Sequence, residues 1–170
     1  MRYFYFLRHG QTEFNKNNLW TGSSDVHLNA EGRREIYSSL STHLDKLHID
    51  FIFSSPLLRA IQSAEIVNEK FQAKLAIIEG FAERSFGAFE GTPKTESSRE
   101  MLDYSDSVEK NPIFLKRISD ALLSVPLDHN VLIVSHSGVF KGLRELGFIA
   151  KKDTINNGEV VKLVCPSTWR

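Results

Sequence analysis

The sequence predicts an α/β protein: a three-layer α/β/α sandwich on a mainly parallel sheet of about five or six strands, with an antiparallel edge strand. Three observations lead there. Apolar runs of strand length recur at Tyr3–Leu7, Phe51–Phe53 and Val131–Val134. Between them lie longer stretches whose apolar residues repeat at helical spacing. Strands that alternate with helices favour parallel pairing through right-handed crossovers, with helices covering both faces.

Taken in order, Tyr3–Leu7 (YFYFL) is an aromatic-rich run that stops at Arg8-His9-Gly10, so a buried strand ends there in a loop. Asn29 suits a helix N-cap, with Glu31 in the first turn and Ile36, Leu40, Leu44 and Leu47 following at helical spacing. Phe51-Ile52-Phe53 is the second strand. Pro56 suits the start of a helix whose inner face is Leu57, Ile61, Ala64, Val67 and Phe71. Leu75–Ile78 reads as a third strand, and Pro112 opens a helix with Phe114, Ile118, Leu122 and Val125 inward. After Val131–Val134, Ser135-His136-Ser137-Gly138 turns into a helix with Val139, Leu143 and Leu146 inward; Val160–Val164 is the last strand. Thr92–Glu109 is polar and without a clear period, hence a surface loop or short helix that acts either as a lid or as a tolerated insertion.

With 170 residues, 41% of them apolar, the chain is long enough for one domain spanning 1–170, with a short cap or loop insertion at about 92–111. Acidic and basic residues balance at 21 each, which removes the overall electrostatic footprint of a nucleic-acid or acidic-membrane binder. Anion binding must therefore be local. Cys165 is the only cysteine, which excludes an intrachain disulfide scaffold and fits a reduced cytoplasm. Tyr3–Leu7 is too short for a signal-peptide core and no run reaches membrane-spanning length, so a soluble cytoplasmic protein is expected. No pattern specifies an oligomeric state.

Four segments place phosphate-compatible residues at strand ends: Arg8-His9-Gly10 with Asn15, Arg59 after Ser54-Ser55-Pro56, Glu83 in a glycine-containing loop, and His136. In an open α/β sheet, ligands bind outside the carboxyl ends of the strands, where residues distant in sequence meet. LRHGQTEFN, SSPLLRAIQSAE, ERSFGAFEG and VSHSG, in this order, resemble the four signatures of the histidine phosphatase superfamily, the phosphoglycerate mutase-like family. The resemblance runs from Leu7 to the last strand and includes TGSSDVHLNAEG from Thr21 to Gly32. It implies catalysis by His9 and Glu83, and possible substrate contacts at Thr21, Gly22 and Lys94.

The residue types fit that chemistry. Phosphoryl transfer needs the equatorial oxygens neutralised and a nucleophile in line with the leaving oxygen. Arg8 and Arg59 each offer a planar fork of donors to phosphate. His9 attacks phosphorus through a neutral ring nitrogen, splitting one hard displacement into two easier ones. The arginines disfavour its imidazolium form before substrate binds. Glu83 is the candidate to protonate the departing alkoxide and then to activate water. Asn15, His136 and the backbone amide of Ser137 complete a phosphate-binding set.

His9, His136 and Glu83 are also a conceivable zinc set, but two guanidiniums in the same pocket would repel a dication, so no metal and no cofactor is expected. The sequence lacks a G-x-S-x-G turn, which removes a serine-hydrolase reading. His27, His43, His48 and His129 match no motif position and stay outside the site.

The expected activity is hydrolysis of a small-molecule phosphomonoester. The alternatives are mutase-type transfer, a phosphoprotein phosphatase, and a non-catalytic phosphate-binding module. The resemblance implies that mutases carry a longer insertion after the glutamate segment, with an arginine pair for the substrate carboxylate. Here that stretch contains Arg99 alone, so the clamp is missing and hydrolysis is favoured. Phe86, where mutases usually place tyrosine, points the same way, whereas Lys94 matches a mutase lysine. Ser63, Ser137 and Phe89 are mild departures from the pattern.

Overall fold

The computed structural model describes residues 2–169. Its strands are β1 (Tyr3–Arg8), β2 (Phe51–Ser54), β3 (Lys74–Ile77), β4 (Val131–Ser135) and β5 (Val160–Val164), arranged in one sheet in the order β3-β2-β4-β1-β5. The first four in that order are parallel, and β5 runs antiparallel to β1 at the edge. The helices are α1 (Glu13–Lys16), α2 (Ala30–Thr42), α3 (Leu58–Phe71), α4 (Glu96–Met101), α5 (Asn111–Leu122) and α6 (Ser137–Glu145).

The alternation of side chains along a strand divides the core in two. Phe4 and Phe6 of β1 and Val131 and Ile133 of β4 pack with Phe114 and Ile118 of α5 and Val139, Phe140 and Leu143 of α6. Leu7, Leu132 and Val134 face the other way, against Ile36 of α2 and Ala60, Ala64 and Val67 of α3. Helices thus cover both faces. Central β4 is buried at every position, as a parallel strand covered on both sides should be.

Several expected helix limits shift. Asn29 does cap α2, accepting from the Gly32 amide, but the helix ends at Thr42 and not beyond Leu47. Ser41 and Thr42 donate back to the Ser38 carbonyl, a local alternative to continued helix, and Leu44 reaches the core from the following turn. In α3 the buried face is Arg59, Ala60, Ser63, Ala64, Ile66 and Val67; Leu57, Ile61 and Phe71 are only half-buried. Small residues let α3 lie close on the sheet, and the same rotation turns Arg59 and Ser63 toward β1. Val125 is buried just past the end of α5. The third strand begins one residue earlier than expected, and the polar stretch after Thr92 contains the capped helix α4.

Candidate active site

Register brings the expected residues together. Arg8 of β1 lies opposite Ser135 of β4, and Ser54 of β2 opposite Val134. The residues that follow, His9, His136 and Ser55, therefore leave three adjacent strands side by side at their carboxyl ends. The His9 and His136 ring centroids are 5.1 Å apart. Above them lies a cavity of about 420 Å³, within the size range of small-molecule sites. Arg8, His9, Asn15, Arg59 and Glu83 line it, as do Thr21, Gly22, Lys94 and Ser137. His136 is fully buried beneath this surface.

Hydrogen bonding assigns the His9 tautomer. Nδ1 lies 2.7 Å from the Gly10 carbonyl, which can only accept, so Nδ1 carries the proton. Nε2 keeps its lone pair and receives Arg59 Nε–H at 3.3 Å. Burial pushes the imidazole pKa well below its usual range, and the charges of Arg59 and Arg8 push it further, so the ring is neutral at neutral pH.

His136 is fixed by Ser55. The Ser55 hydroxyl oxygen accepts from the Leu57 amide, and among the described residues its hydrogen finds one acceptor, His136 Nε2, 2.7 Å away. The His136 proton then sits on Nδ1, which has no partner. Burial, followed by the charge of Arg59, also lowers the pKa of this ring well below its ordinary value.

Arg59 is 1% exposed, and burial lowers its pKa to about 10, still cationic at neutral pH. It donates to the carbonyls of Ser24 and Gly22, both at 2.8 Å. Gly22 has φ +51°, and a Cβ there would overlap the Glu90 carboxylate. Glu90 accepts from the Ser23 amide and from the Ser23 and Ser24 hydroxyls. Burial alone would raise the Glu90 pKa, and these bonds hold it below its ordinary value. Arg8 Nη1 donates to the Ile155 carbonyl at 2.9 Å.

Asn15 presents its amide nitrogen. Its Oδ1 receives the Thr12 amide, the Thr12 hydroxyl and Asn157 Nδ2, at 3.1, 3.0 and 3.2 Å. Asn157 Nδ2 also donates to the His9 carbonyl at 3.0 Å. Ser63 joins the group by accepting from the Gly10 amide while donating to the Arg59 carbonyl.

Glu83 is held by two backbone amides, its own neighbour Arg84 at 2.8 Å and Gly138 of α6 at 2.9 Å. A Cβ on Gly138 would overlap the carboxylate, so glycine there is what allows the contact. Ser137 opens α6 on the cavity wall, where helix N-terminal amides favour an anion.

Among the described residues, three buried side-chain polar atoms lack a hydrogen-bond partner: Arg8 Nε, Thr21 Oγ1 and His136 Nδ1. All three belong to residues expected at the site, and two of them are nitrogen donors suited to an incoming anion. No group of three or more His, Cys, Asp or Glu among the described residues is arranged to hold a metal ion. His27, His43, His48 and His129 lie outside the cavity.

Sequence reasoning missed Ser55, Asn157 and Glu90 as organisers of the site, along with Arg99 and Lys141, which also line the cavity. Ser55 and Glu90 lie within the SSPLLRAIQSAE and ERSFGAFEG segments. Asn157 lies 148 positions from His9 and carried no signal of its own.

A model of the histidine phosphatase superfamily (branch 1) matches residues 4–160. The Bacillus subtilis protein named uncharacterized phosphatase PhoE is 31% identical over 144 residues, covering 81% of this chain and 72% of that protein. A 2,3-bisphosphoglycerate-dependent phosphoglycerate mutase of Cytophaga hutchinsonii is 32% identical over 160 residues, covering 81% of this chain and 73% of its own. The crystal structure of TTHB049 from Thermus thermophilus superimposes with a TM-score of 0.74 at 27% identity, over 94% of this chain and 92% of that one. A match that runs from β1 into β5, across the strand ends that gather both histidines and both arginines, makes this chain a member of the histidine phosphatase superfamily.

Proposed function

We propose that the chain is a cytoplasmic phosphomonoester hydrolase that passes the phosphoryl group through His9 Nε2, with residues 1–170 acting as one catalytic domain capped by 92–111. The observation that carries this is the His9 tautomer: Nδ1–H is committed to the Gly10 carbonyl, so the nucleophilic lone pair lies on the ring nitrogen beside Arg59.

In the first step Nε2 bonds to phosphorus and the ester P–O bond breaks. Glu83, in its acid form, gives its proton to the departing alkoxide. Arg8, Arg59, Asn15 Nδ2, the Ser137 amide and His136 Nδ1–H neutralise the three equatorial oxygens. The phosphohistidine carries ring charge, which the Gly10 carbonyl stabilises at Nδ1–H. In the second step the Glu83 carboxylate takes a proton from water, the water oxygen bonds to phosphorus, and the N–P bond breaks to release phosphate.

Hydrolysis of an aryl phosphate by wild type, His9→Ala and Glu83→Gln tests this. His9→Ala should lose about four orders of magnitude in kcat, and Glu83→Gln stopped in alkaline detergent, where an N–P bond survives, should retain label from phosphate-labelled substrate. Turnover that survives His9→Ala removes the mechanism. Efficient conversion of 3-phosphoglycerate to its 2-isomer would reassign the acceptor from water to a substrate hydroxyl.

A further inference from the structure

Glu83 reaches the cavity from a segment that belongs to no strand or helix. Beyond β3 the chain makes a tight turn at Glu79–Phe81 and arrives at Glu83 in irregular backbone. A side chain that must meet a reacting atom closely depends on how such a backbone is anchored. All four carbonyls from Gly80 to Glu83 accept from side chains. Phe81 accepts from the Ser135 hydroxyl of β4 at 2.7 Å. Gly80, Ala82 and Glu83 accept from one guanidinium, that of Arg117 on α5, at 2.9, 2.7 and 2.9 Å.

Arg117 turns its remaining donors to Glu109. Nε and Nη2 reach the two carboxylate oxygens at 2.7 and 2.9 Å, a planar fork-on-fork pairing that lysine cannot copy. All five N–H groups of the guanidinium are thereby engaged. Its carbon also lies 4.7 Å from the Phe114 ring centroid, which fixes the plane from a third side. Glu109 is knit into the same loop. Its amide donates to the Ser85 carbonyl at 2.9 Å, its carbonyl receives Arg84 Nε–H at 2.7 Å, and its carboxylate receives the Ser85 amide at 3.2 Å. Gly80 lets the turn sit this close to α5, because a Cβ there would lie 2.7 Å from the Arg117 carbonyl oxygen.

Arg117 is not one of the described residues that line the cavity, so its effect on the reaction must pass through another group. The two amides that hold the Glu83 carboxylate come from Arg84, on the loop itself, and from Gly138 of α6. A loop free to slide would draw the carboxyl away from the Gly138 amide. We infer that Arg117, braced by Glu109, is the positioning residue for the catalytic acid: it clamps the loop 80–85 to α5 so that the Glu83 carboxyl meets the departing oxygen of the substrate. The inference rests on the assignment of Glu83 proposed above and goes beyond it by naming what places the acid. Because Glu109 belongs to the segment 92–111, the same ion pair ties the end of the cap to that acid.

Leaving-group dependence isolates the acid. Benzyl phosphate needs the Glu83 proton on its departing alkoxide, whereas para-nitrophenolate leaves as a stable anion. Glu83→Gln should therefore raise the ratio of kcat/KM for para-nitrophenyl phosphate to that for benzyl phosphate by about 100-fold. Arg117→Gln should raise it by about tenfold, since the acid is still present but misplaced. That variant leaves the Glu109 carboxylate without its partner, so Arg117→Gln/Glu109→Gln, which removes both charges, is measured beside it and should raise the ratio similarly. Ile118→Val, a core change one position along α5, should keep the wild-type ratio. The Gly138 amide gives a readout free of turnover: its nitrogen-15 shift should move in both Arg117 variants in the same sense as in Glu83→Ala.

A folded Arg117 variant that slows both substrates alike, or that leaves the Gly138 shift unchanged, overturns the inference and makes Arg117 a support of the fold alone. A wild-type ratio in Glu83→Gln removes Glu83 as the acid, and the positioning role with it. If the wild type turns over neither substrate, the hydrolase reading is what fails. The Gly138 shift then decides by itself whether Arg117 places the carboxyl.

Discussion

The two ends of the cavity are built differently. At the floor, His9, Arg59 and His136 are buried and each is oriented by backbone carbonyls or by a neighbouring buried hydroxyl. At the rim, Arg99 and Lys141 are exposed and make no such bonds among the described residues; Arg99 is placed by the ring of Trp20. Floor groups are held before any substrate arrives, so in the proposed mechanism their stabilisation of the transition state requires little reorganisation. Rim groups stay exposed to solvent, which suits selection of a substrate more than acceleration of its reaction. Substitutions at the floor should therefore act on kcat, and those at the rim on KM.

The strongest way to break that contrast is Arg59→Met. Removing the guanidinium that the proposed mechanism places on the phosphoryl oxygens should cost about 10²–10³ in kcat/KM. Stability should change little. A pKa near 10 corresponds to about 3 kcal/mol against the charged form in the folded protein, and relief of that penalty offsets the lost bonds to Gly22 and Ser24, about 1–2 kcal/mol each. Activity within tenfold of wild type, or a thermal melt showing destabilisation beyond about 3 kcal/mol, would show that Arg59 serves the fold and not the anion.

The floor should also be the acid-sensitive end. His9 and His136 have folded pKa values below the ordinary histidine value, so the unfolded chain binds more protons as pH falls through about 6.5. Their contribution to stability is complete above that pH and is lost as the pH drops toward the folded values. Between pH 6.5 and 5.5 the pair should cost about 2 kcal/mol, roughly a 30-fold change in the folding equilibrium. Urea unfolding at the two pH values measures it, and His136→Asn should remove about half. A flat profile in the wild type, or histidine ring signals titrating near 6.5, would contradict buried neutral imidazoles.

How well the sequence reveals each end follows from the same contrast. Arg8, His9, Arg59 and His136 were legible because each closes a strand or opens the helix after it, and strand ends in a parallel sheet converge by topology. The rim was not legible, because Arg99 and Lys141 lie on separate helices whose meeting depends on packing and not on spacing. Fold class was readable from the apolar runs, while helix limits were less so: Leu44 and Leu47 keep helical spacing, yet Ser41 and Thr42 end α2 before them. Ile61 fits the periodicity of α3, but the close approach of Ala60 and Ala64 decides which face turns inward.

Ser55→Ala sharpens the comparison within the floor. With Nε2 released, neutral His136 divides its proton between the two ring nitrogens, and the donor at Nδ1 is present only part of the time. A loss of about tenfold in kcat with little change in KM is expected. Ser55→Thr, which keeps the hydroxyl, should restore most of it. The nitrogen-15 shift of His136 Nδ1 should move away from its protonated value in the alanine variant alone. An unchanged shift alongside lost activity would point to disturbed packing instead of tautomer control.

Asn157 gives the smallest and most discriminating case. One amide nitrogen serves both the His9 carbonyl and Asn15 Oδ1, so it fixes the loop that carries the nucleophile and turns the Asn15 amide toward the cavity. The Gly158 amide donates to the same His9 carbonyl at 3.2 Å, so this support is shared and Asn157→Ala should cost only about three- to tenfold in kcat. Asn157→Asp separates donation from shape. Aspartate has nearly the same outline, but its carboxylate would face two acceptor oxygens that it cannot satisfy. Measured at pH 8, where His9 stays neutral in either variant, Asp should be worse than Ala if the role is donation and better than Ala if the role is to fill space.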